Sequence, residues 1–573
     1  MNKVEKLKSI FKNYKIDGYF VPKNDEFFGE YTPEHKDNLK LISNFSGSFG
    51  FALILKKKNY LFVDGRYTLQ AKIQCSQLFN ILTLPAKYPS DILKNKKITI
   101  GFDPKLHTEM SLNRFFKNTK CKLVPISENL IDKIFVRKNI NGFSKFYKLK
   151  DKDSGQNSKS KIKNVSRILK KNKIDLQFVS ATENVAWLLN LRGSDSDFSP
   201  IPNSYLIISK NNEVFFFCDL KKISDRLKKK LDKNIIIIDI KNTAQFILKI
   251  KNKNFQIDNS SCSIFFKNII KINNKIKEKY DPIYLLKSIK NKIELDNIIK
   301  SHIYDGAALT KFLFWINNNF KKKKITEIEA QNKLLKFRKK NKTFKSLSFP
   351  TISGSGPNGA IIHYKASNKS NRVLKKGDLY LVDSGGQYTF GTTDVTRTIS
   401  LSNNQKRIKN IFTRVLKGHI AVASYKIKKN TSGSEIDAVA RKPLQQINLD
   451  YAHGTGHGVG YFLNVHEGPQ AISKGNFVKF KAGMIVSNEP GYYENGKFGI
   501  RIENLVTVKK LKNSLKFKDL TLVPVDKSLI EKKLLHKNEI KWLNDYHFKV
   551  YQSLKKFMNK SELLQLKDCC SNI

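Results

Sequence analysis

Tyr380-Leu-Val-Asp383-Ser-Gly-Gly, followed by Thr392-Thr-Asp394-Val-Thr-Arg397, opens the stretch around which this chain is organised. It continues with His453-Gly-Thr-Gly-His457-Gly-Val-Gly and Asn488-Glu489-Pro-Gly-Tyr-Tyr493, and closes on Arg501-Ile-Glu503-Asn. Two aspartates, a histidine and two glutamates thus sit in or beside short apolar, strand-like runs. A buried carboxylate without a partner is costly, or shifts its pKa until it is neutral. A pair of divalent cations meets that requirement. Asp383, Asp394, Glu489 and Glu503 bring a formal charge of about −4, which two such ions cancel, and His457 adds a neutral ligand. Oxygen-rich ligation with one imidazole suits Mn²⁺, Co²⁺ or Zn²⁺ in a two-metal site rather than a thiolate zinc site.

At these residues the chain resembles the pita-bread (creatinase/aminopeptidase) metallopeptidases, and within them the Xaa-Pro aminopeptidases (aminopeptidase P). The resemblance implies that Asp383, Asp394, His457, Glu489 and Glu503 are the five metal ligands, with Mn²⁺ the foremost candidate. It implies bridging roles for Asp394 and Glu503, with Asp383 terminal on one ion and His457 and Glu489 on the other. His363, in Gly354-Ser-Gly-Pro-Asn-Gly-Ala-Ile-Ile-His363, falls on a substrate-binding histidine. His466, in Asn464-Val-His-Glu-Gly-Pro469, falls on a second catalytic histidine that stabilises the oxyanion. Glu489 takes and relays the proton of the attacking water. His363 and Tyr493 position the substrate. Arg501 supports a ligand carboxylate or His466 from behind. His453 is a further expected substrate-binding residue, or only packs or hydrogen-bonds near His457. The glycines of 454–460 are no phosphate loop, because no Lys-Ser/Thr pair follows them.

The activity so implied is release of an N-terminal residue ahead of a penultimate proline. That bond is a tertiary amide without an N–H, so peptidases that bind the N–H fail on it. The alternatives are a prolidase acting on dipeptides alone, or a non-catalytic pita-bread protein contacting nucleic acid. Creatinase uses no metal, and the intact ligand set speaks against it.

At 573 residues the chain exceeds a single core. Its six cysteines are scattered and form neither a C-x-x-C nor a disulfide framework, as in a reducing compartment. The start, from Met1 to Phe11, carries charges throughout and lacks a signal peptide's apolar core; no long apolar run follows. A soluble, cytoplasmic protein without membrane contact is expected. The net charge of +57 admits polyanion binding. Lysines nevertheless spread through every segment beside abundant Asn and Ile, and no nucleic-acid motif accompanies them, which reads as compositional drift without a specific nucleic-acid partner.

The expected fold class is α/β (α+β): two creatinase-N-like α/β domains, then a pita-bread metallopeptidase domain with a C-terminal extension. Residues 1–140 alternate apolar runs and helical stretches: Gly18–Pro22, a glycine-punctuated turn into a strand over Phe45–Leu55, a strand over Tyr60–Tyr67 that ends in a turn and starts a helix, and Ile98–Asp103. Asp64-Gly-Arg66-Tyr67 resembles a segment of the family's N-terminal domain. Arg66 is read either as an interface ion pair or as a substrate-binding residue reaching an active site, that of a second subunit included. Residues 141–163 read as a solvated linker. The second unit, 141–283, repeats the style of the first, with a helix capped at Thr182 and a hairpin around Asn211-Asn212. Two such units distinguish the long three-domain form. In 284–508, two long helices precede an antiparallel pair in which Asp383 and Asp394 face each other. Met484–Glu489 and Phe498–Val506 are expected strands delivering the last two ligands. The tail, 509–573, holds an expected strand Leu520–Val525 and helices around Glu539–His547. It resembles an extension associated with dimers, or is a packing cap, so a homodimer is expected.

Overall fold

A computed structural model describes residues 2–137, 144–402, 405–512 and 514–573. The boundary expected at 140/141 lies outside the described residues. The chain divides into two compact units, Met1–Tyr284 and Leu285–Ile573.

The first unit contains two six-stranded sheets. One comprises β1 (Gly18–Pro22), β2 (Phe51–Leu55), β3 (Asn59–Asp64), β4 (Asn80–Leu84), β5 (Thr99–Phe102) and β6 (Lys122–Pro125), in the order β4-β3-β2-β1-β5-β6. The other comprises β7 (Leu176–Val179), β8 (Ser204–Ser209), β9 (Val214–Cys218), β10 (Ile235–Asp239), β11 (Asn254–Ile257) and β12 (Lys275–Glu278), in the order β10-β9-β8-β7-β11-β12. Order and strand sense coincide: β1–β2 and β2–β3 are antiparallel while β1–β5, β5–β6 and β3–β4 are parallel, and the second sheet repeats this. Strands buried on both faces, such as Phe51-Ala-Leu-Ile-Leu and Ser204-Tyr-Leu-Ile-Ile-Ser, account for the continuous apolar runs.

Two details of this unit differ from the sequence reading. The expected linker is largely ordered, with short helix Asp151–Ser154 and the start of helix Ser158–Lys171, whose first turn is capped by Asn157. Its lysines are the outer face of an amphipathic helix, and composition does not separate that from a linker. Thr182 is the first helical residue; Ala181 holds the cap position and provides no side-chain bond.

In the second unit, α1 (Lys292–Asn319) starts from a capping box between Asn291 and Glu294, and α2 (Glu327–Lys339) from one between Thr326 and Glu329. Both pack on β14 (Leu379–Ser384) and β15 (Val395–Ser400), which share a sheet with β13 (Ile352–Ser355). Leu309, Phe312, Leu334, Tyr380, Val382 and Ile399 form the core between them. A second helix pair, α3 (Lys406–Ala423) and α4 (Gly433–Gln445), covers a larger sheet through Val422, Ile436, Ala440, Val486 and Val506. That sheet carries β16 (Gly456–Gly458), β17 (Glu467–Ile472), β18 (Ile485–Asn488), β21 (Asn504–Lys510) and β22 (Leu515–Asp519). Between β18 and β21 stands the hairpin of β19 (Gly491–Glu494) and β20 (Phe498–Arg501). The chain ends in α5 (Lys537–Leu554) and α6 (Lys560–Cys569). No described helix is long and apolar enough to cross a membrane.

Three expectations are corrected here. Asp383 pairs with Thr396 in the β14–β15 ladder, and Asp394 lies one residue before β15, so the two aspartates are not opposite each other. Phe498–Val506 is two strands in different sheets, broken at Ile502-Glu503. Leu520–Val525 is irregular; its carbonyls are taken by side chains instead of a ladder.

Candidate metal centre

Every predicted ligand lies in or beside a strand. Asp383 is near the end of β14, Asp394 immediately precedes β15, Glu489 immediately follows β18, Glu503 lies in the gap between β20 and β21, and His457 is central in β16. Gly456 allows this approach, because a Cβ there would collide with the Ser487 carbonyl. One ligand atom each from Asp394, His457 and Glu503 lies within 4.8 Å of the others. His457 Nε2 is 3.4 Å from both Asp394 Oδ2 and Glu489 Oε1. His457 Nδ1 bonds the Gly458 carbonyl at 2.9 Å, which fixes the ring.

Polar neighbours hold these groups. Arg501, fully buried at the end of β20, donates from Nη2 to Asp383 Oδ2 at 2.7 Å, from Nη1 to the Tyr493 hydroxyl at 2.5 Å and from Nε to Thr396 Oγ1 at 3.1 Å. Thr396 Oγ1 donates to Glu503 Oε2 at 2.7 Å, and Ser487 Oγ to Glu489 Oε1 at 2.9 Å. Asp383 Oδ1 is buried with no hydrogen-bond partner.

The electrostatics show a cluster short of positive charge. Burial, with the repulsion of Asp394 and Glu489 and against the pull of Arg501, lifts Asp383 to about 7. Burial likewise raises Glu489, against His457. Burial and then the charges of Asp394, Asp383 and Glu489 push Glu503 far above the carboxylate range. Burial disfavours a charged His457, yet its bond to Asp394 and the charges of Glu489 and Asp394 prevail and raise it to about 9. The donor set, the shifted acids and the orphaned Asp383 oxygen fit divalent cations.

The remaining predicted residues fall into place unevenly. His466 stands edge-on to His457, ring centroids 4.2 Å apart. His453 bonds Tyr493: its Nε2 is 2.8 Å from the Tyr493 hydroxyl. His363 sits half-buried on a turn whose Ile361 and Tyr364 pack with Leu381 and Tyr493. Arg66 belongs to the first unit, where Asp64 holds its guanidinium at 2.7 Å.

Thr396, Thr398 and Ser487 were missed. Asp394, Thr396 and Thr398 alternate along one strand face, and Thr398 Oγ1 bonds both the backbone N–H and the carbonyl of Arg501. That period of two was the available signal.

Comparison with known proteins adds the following. The profile of metallopeptidase family M24 matches residues 296–510, and that of the C-terminal region of peptidase M24 matches 513–573. The creatinase/prolidase N-terminal domain matches twice, over 3–134 and 142–294. Xaa-Pro aminopeptidase 1 of Dictyostelium discoideum is 38% identical, covering 98% of this chain and 94% of its own. A probable Xaa-Pro aminopeptidase P of Laccaria bicolor is 37% identical over 96% of this chain and 90% of its own. The X-prolyl aminopeptidase of Caenorhabditis elegans, described as a cytosolic enzyme with a di-nuclear active site, superposes with a TM-score of 0.94 at 31% identity, over 100% of this chain and 99% of its own. The prolidase of Pyrococcus furiosus covers only 62% of this chain and 98% of its own, with a TM-score of 0.51 at 26% identity.

Proposed function

The chain belongs to metallopeptidase family M24, among its Xaa-Pro aminopeptidases, and we propose that Asp383, Asp394, His457, Glu489 and Glu503 hold two divalent cations at its active site. It hydrolyses the bond between an N-terminal residue and a penultimate proline. The observation that carries the ligand assignment is the convergence of four carboxylates and one imidazole with too little positive charge among them and one buried oxygen of Asp383 unpartnered. Mn²⁺ suits this donor set, and the di-nuclear description of the nematode relative agrees with a pair of ions.

When bound, the cations supply Lewis-acid polarisation of the scissile carbonyl and lower the pKa of the attacking water. The chain's own groups do the rest. Glu489 Oε1 is engaged by Ser487, which leaves Oε2 to take the proton of that water and pass it toward the leaving proline nitrogen. His466, beside His457, donates to the oxyanion as the carbonyl carbon becomes tetrahedral. Arg501 keeps Asp383 aimed inward and holds Tyr493 against the site. His363, His453 and Tyr493 present imidazole and phenol edges to a pyrrolidine ring that offers no N–H. Arg66 is the proposed substrate contact of the first unit.

Cytosolic placement rests on the description of the nematode relative. A homodimer joined through the C-terminal region is the proposed assembly, and light scattering tests it. The division at residues 140, 283 and 508 is proposed, supported by the repeated strand order of the two N-terminal sheets. A single assay tests the chemistry. Turnover of an Xaa-Pro-Pro tripeptide should vanish in chelator and return with Mn²⁺; full turnover in chelator overturns the metal assignment. Cleavage of Xaa-Pro dipeptides alone would make the enzyme a prolidase.

A further inference from the structure

Behind the ligand strands lies a buried hydrogen-bond system that ends in the C-terminal segment. Arg397, on β15 and 1% exposed, makes six hydrogen bonds, all to uncharged acceptors. Nη1 reaches the carbonyls of Thr396 at 2.8 Å and of Glu503 at 2.6 Å, the main chain of one proposed ligand and of the hydroxyl donor that holds it. Nη2 reaches Asn504 Oδ1 at 2.8 Å, the Val523 carbonyl at 2.7 Å and the Tyr546 hydroxyl at 2.9 Å, while Nε takes the Pro524 carbonyl at 3.0 Å. Burying a guanidinium without a carboxylate partner is costly. Here the cost is offset by fixing Glu503 to three points of the C-terminal segment.

A second path leaves the same helix. The Tyr546 ring stacks on Trp542 with centroids 5.4 Å apart, and Trp542 meets the edge of His419 at 5.8 Å. His419, fully buried on α3, donates from Nδ1 to the Asn488 carbonyl at 3.0 Å, and its own carbonyl accepts from Asn488 Nδ2 at 2.8 Å. Asn488 immediately precedes Glu489. Helix α5 therefore braces both late ligand turns, Glu503 through Arg397 and Glu489 through His419.

We propose that the C-terminal segment is part of the metal centre's positioning apparatus, with Tyr546 and Trp542 its working residues. The proposal rests on the ligand assignment above. Neither side chain touches a ligand carboxylate; Tyr546 acts through Arg397, and Trp542 through His419 and Asn488, so both are positioning residues. Losing such support commonly weakens metal affinity about 10–100-fold.

The test is titration of the full-length, metal-free protein with Co²⁺, read by visible absorption, beside thermal unfolding in chelator. Tyr546→Phe keeps the ring stack and removes the hydroxyl. It should weaken uptake of Co²⁺ about tenfold and alter the absorption band. Trp542→Leu should act in the same direction. Leu543→Ala, a buried apolar change on the same helix, should lower the unfolding midpoint yet leave Co²⁺ affinity and spectrum as in the parent. Parent-like Co²⁺ binding by both Tyr546→Phe and Trp542→Leu overturns the proposal, as does an equal loss of affinity in Leu543→Ala. If Asp394→Ala still takes up both ions normally, the ligand assignment itself falls, and this proposal with it.

Discussion

Asp383 and Ser384 are neighbours on one strand and face opposite sides of it. On the Ser384 side, Arg338 donates to Asp305 from Nε at 2.7 Å and from Nη2 at 3.1 Å, and also to Ser384 Oγ at 3.1 Å. The Tyr388 hydroxyl completes the set on Asp305 at 2.7 Å. One anion meets one cation, and both are buried. On the Asp383 side, four carboxylates meet one guanidinium and one imidazole, and the protein does not balance its own charge. Both sides bury charged groups, so burial does not by itself mark a site. The mismatch between buried anions and the cations supplied to them does.

That contrast can be broken by substitution. Asp394→Ala removes a group from the unbalanced side, and turnover of an Xaa-Pro-Pro peptide should fall by about 10⁴, equivalent to roughly 5 kcal/mol of lost transition-state stabilisation. Steady-state kinetics check this, and retention of a tenth of the parent activity would refute it. Asp305→Ala works on the balanced side. It strands Arg338 in the interior, so stability should fall by about 3 kcal/mol. Thermal unfolding of the metal-free protein measures that loss.

A sharper version uses sign instead of size. In metal-free protein, burial and the charges of Asp394, Asp383 and Glu489 make Glu503 take up a proton on folding; Glu503→Gln removes that cost, so the unfolding midpoint at neutral pH should rise, by about 1–2 kcal/mol in stability. Asp305→Asn should lower the midpoint under identical conditions. Two buried acids neutralised with the same sign of effect would erase the distinction drawn here.

How much of this is legible in the sequence alone differs by level. The acids stood out because Asp383, Asp394, Glu489 and Glu503 interrupt apolar runs, and local sequence carries that signal. The double N-terminal unit was visible as a repeated style, while its identical strand order required the sheets themselves. The direct pairing of Asp383 with Asp394 fails because register depends on where a ladder begins: Asp383 stands opposite Thr396, two residues on and on the same face as Asp394. Arg397 and Tyr546 were illegible: they lie 149 positions apart, and nothing in either neighbourhood announces the other. Leu520–Val525 looked like a strand because its residues are buried, yet their carbonyls serve Arg397 and Tyr546.

The last contrast concerns two histidines shifted in opposite directions by their surroundings. His457, among unbalanced carboxylates, is raised to about 9. His547, fully buried on α5, is lowered to about 3, by burial first and then by Lys527 and Arg397. Its Nε2 accepts the Val525 N–H at 3.1 Å, a bond that only the neutral ring can make. Because its folded pKa lies below the unfolded value of about 6.5, the unfolded chain binds the extra proton as pH falls. Stability contributed by neutral His547 is therefore complete above about 6.5 and is lost progressively toward 3, at no more than about 1.4 kcal/mol per pH unit. Replacing His547 by Gln removes the titrating group. The unfolding midpoint of His547→Gln should then decline less steeply than the parent's between pH 6.5 and 4.5. Parallel declines would mean that His547 is not held neutral, and that the balanced interior takes up protons as readily as the ligand cluster does.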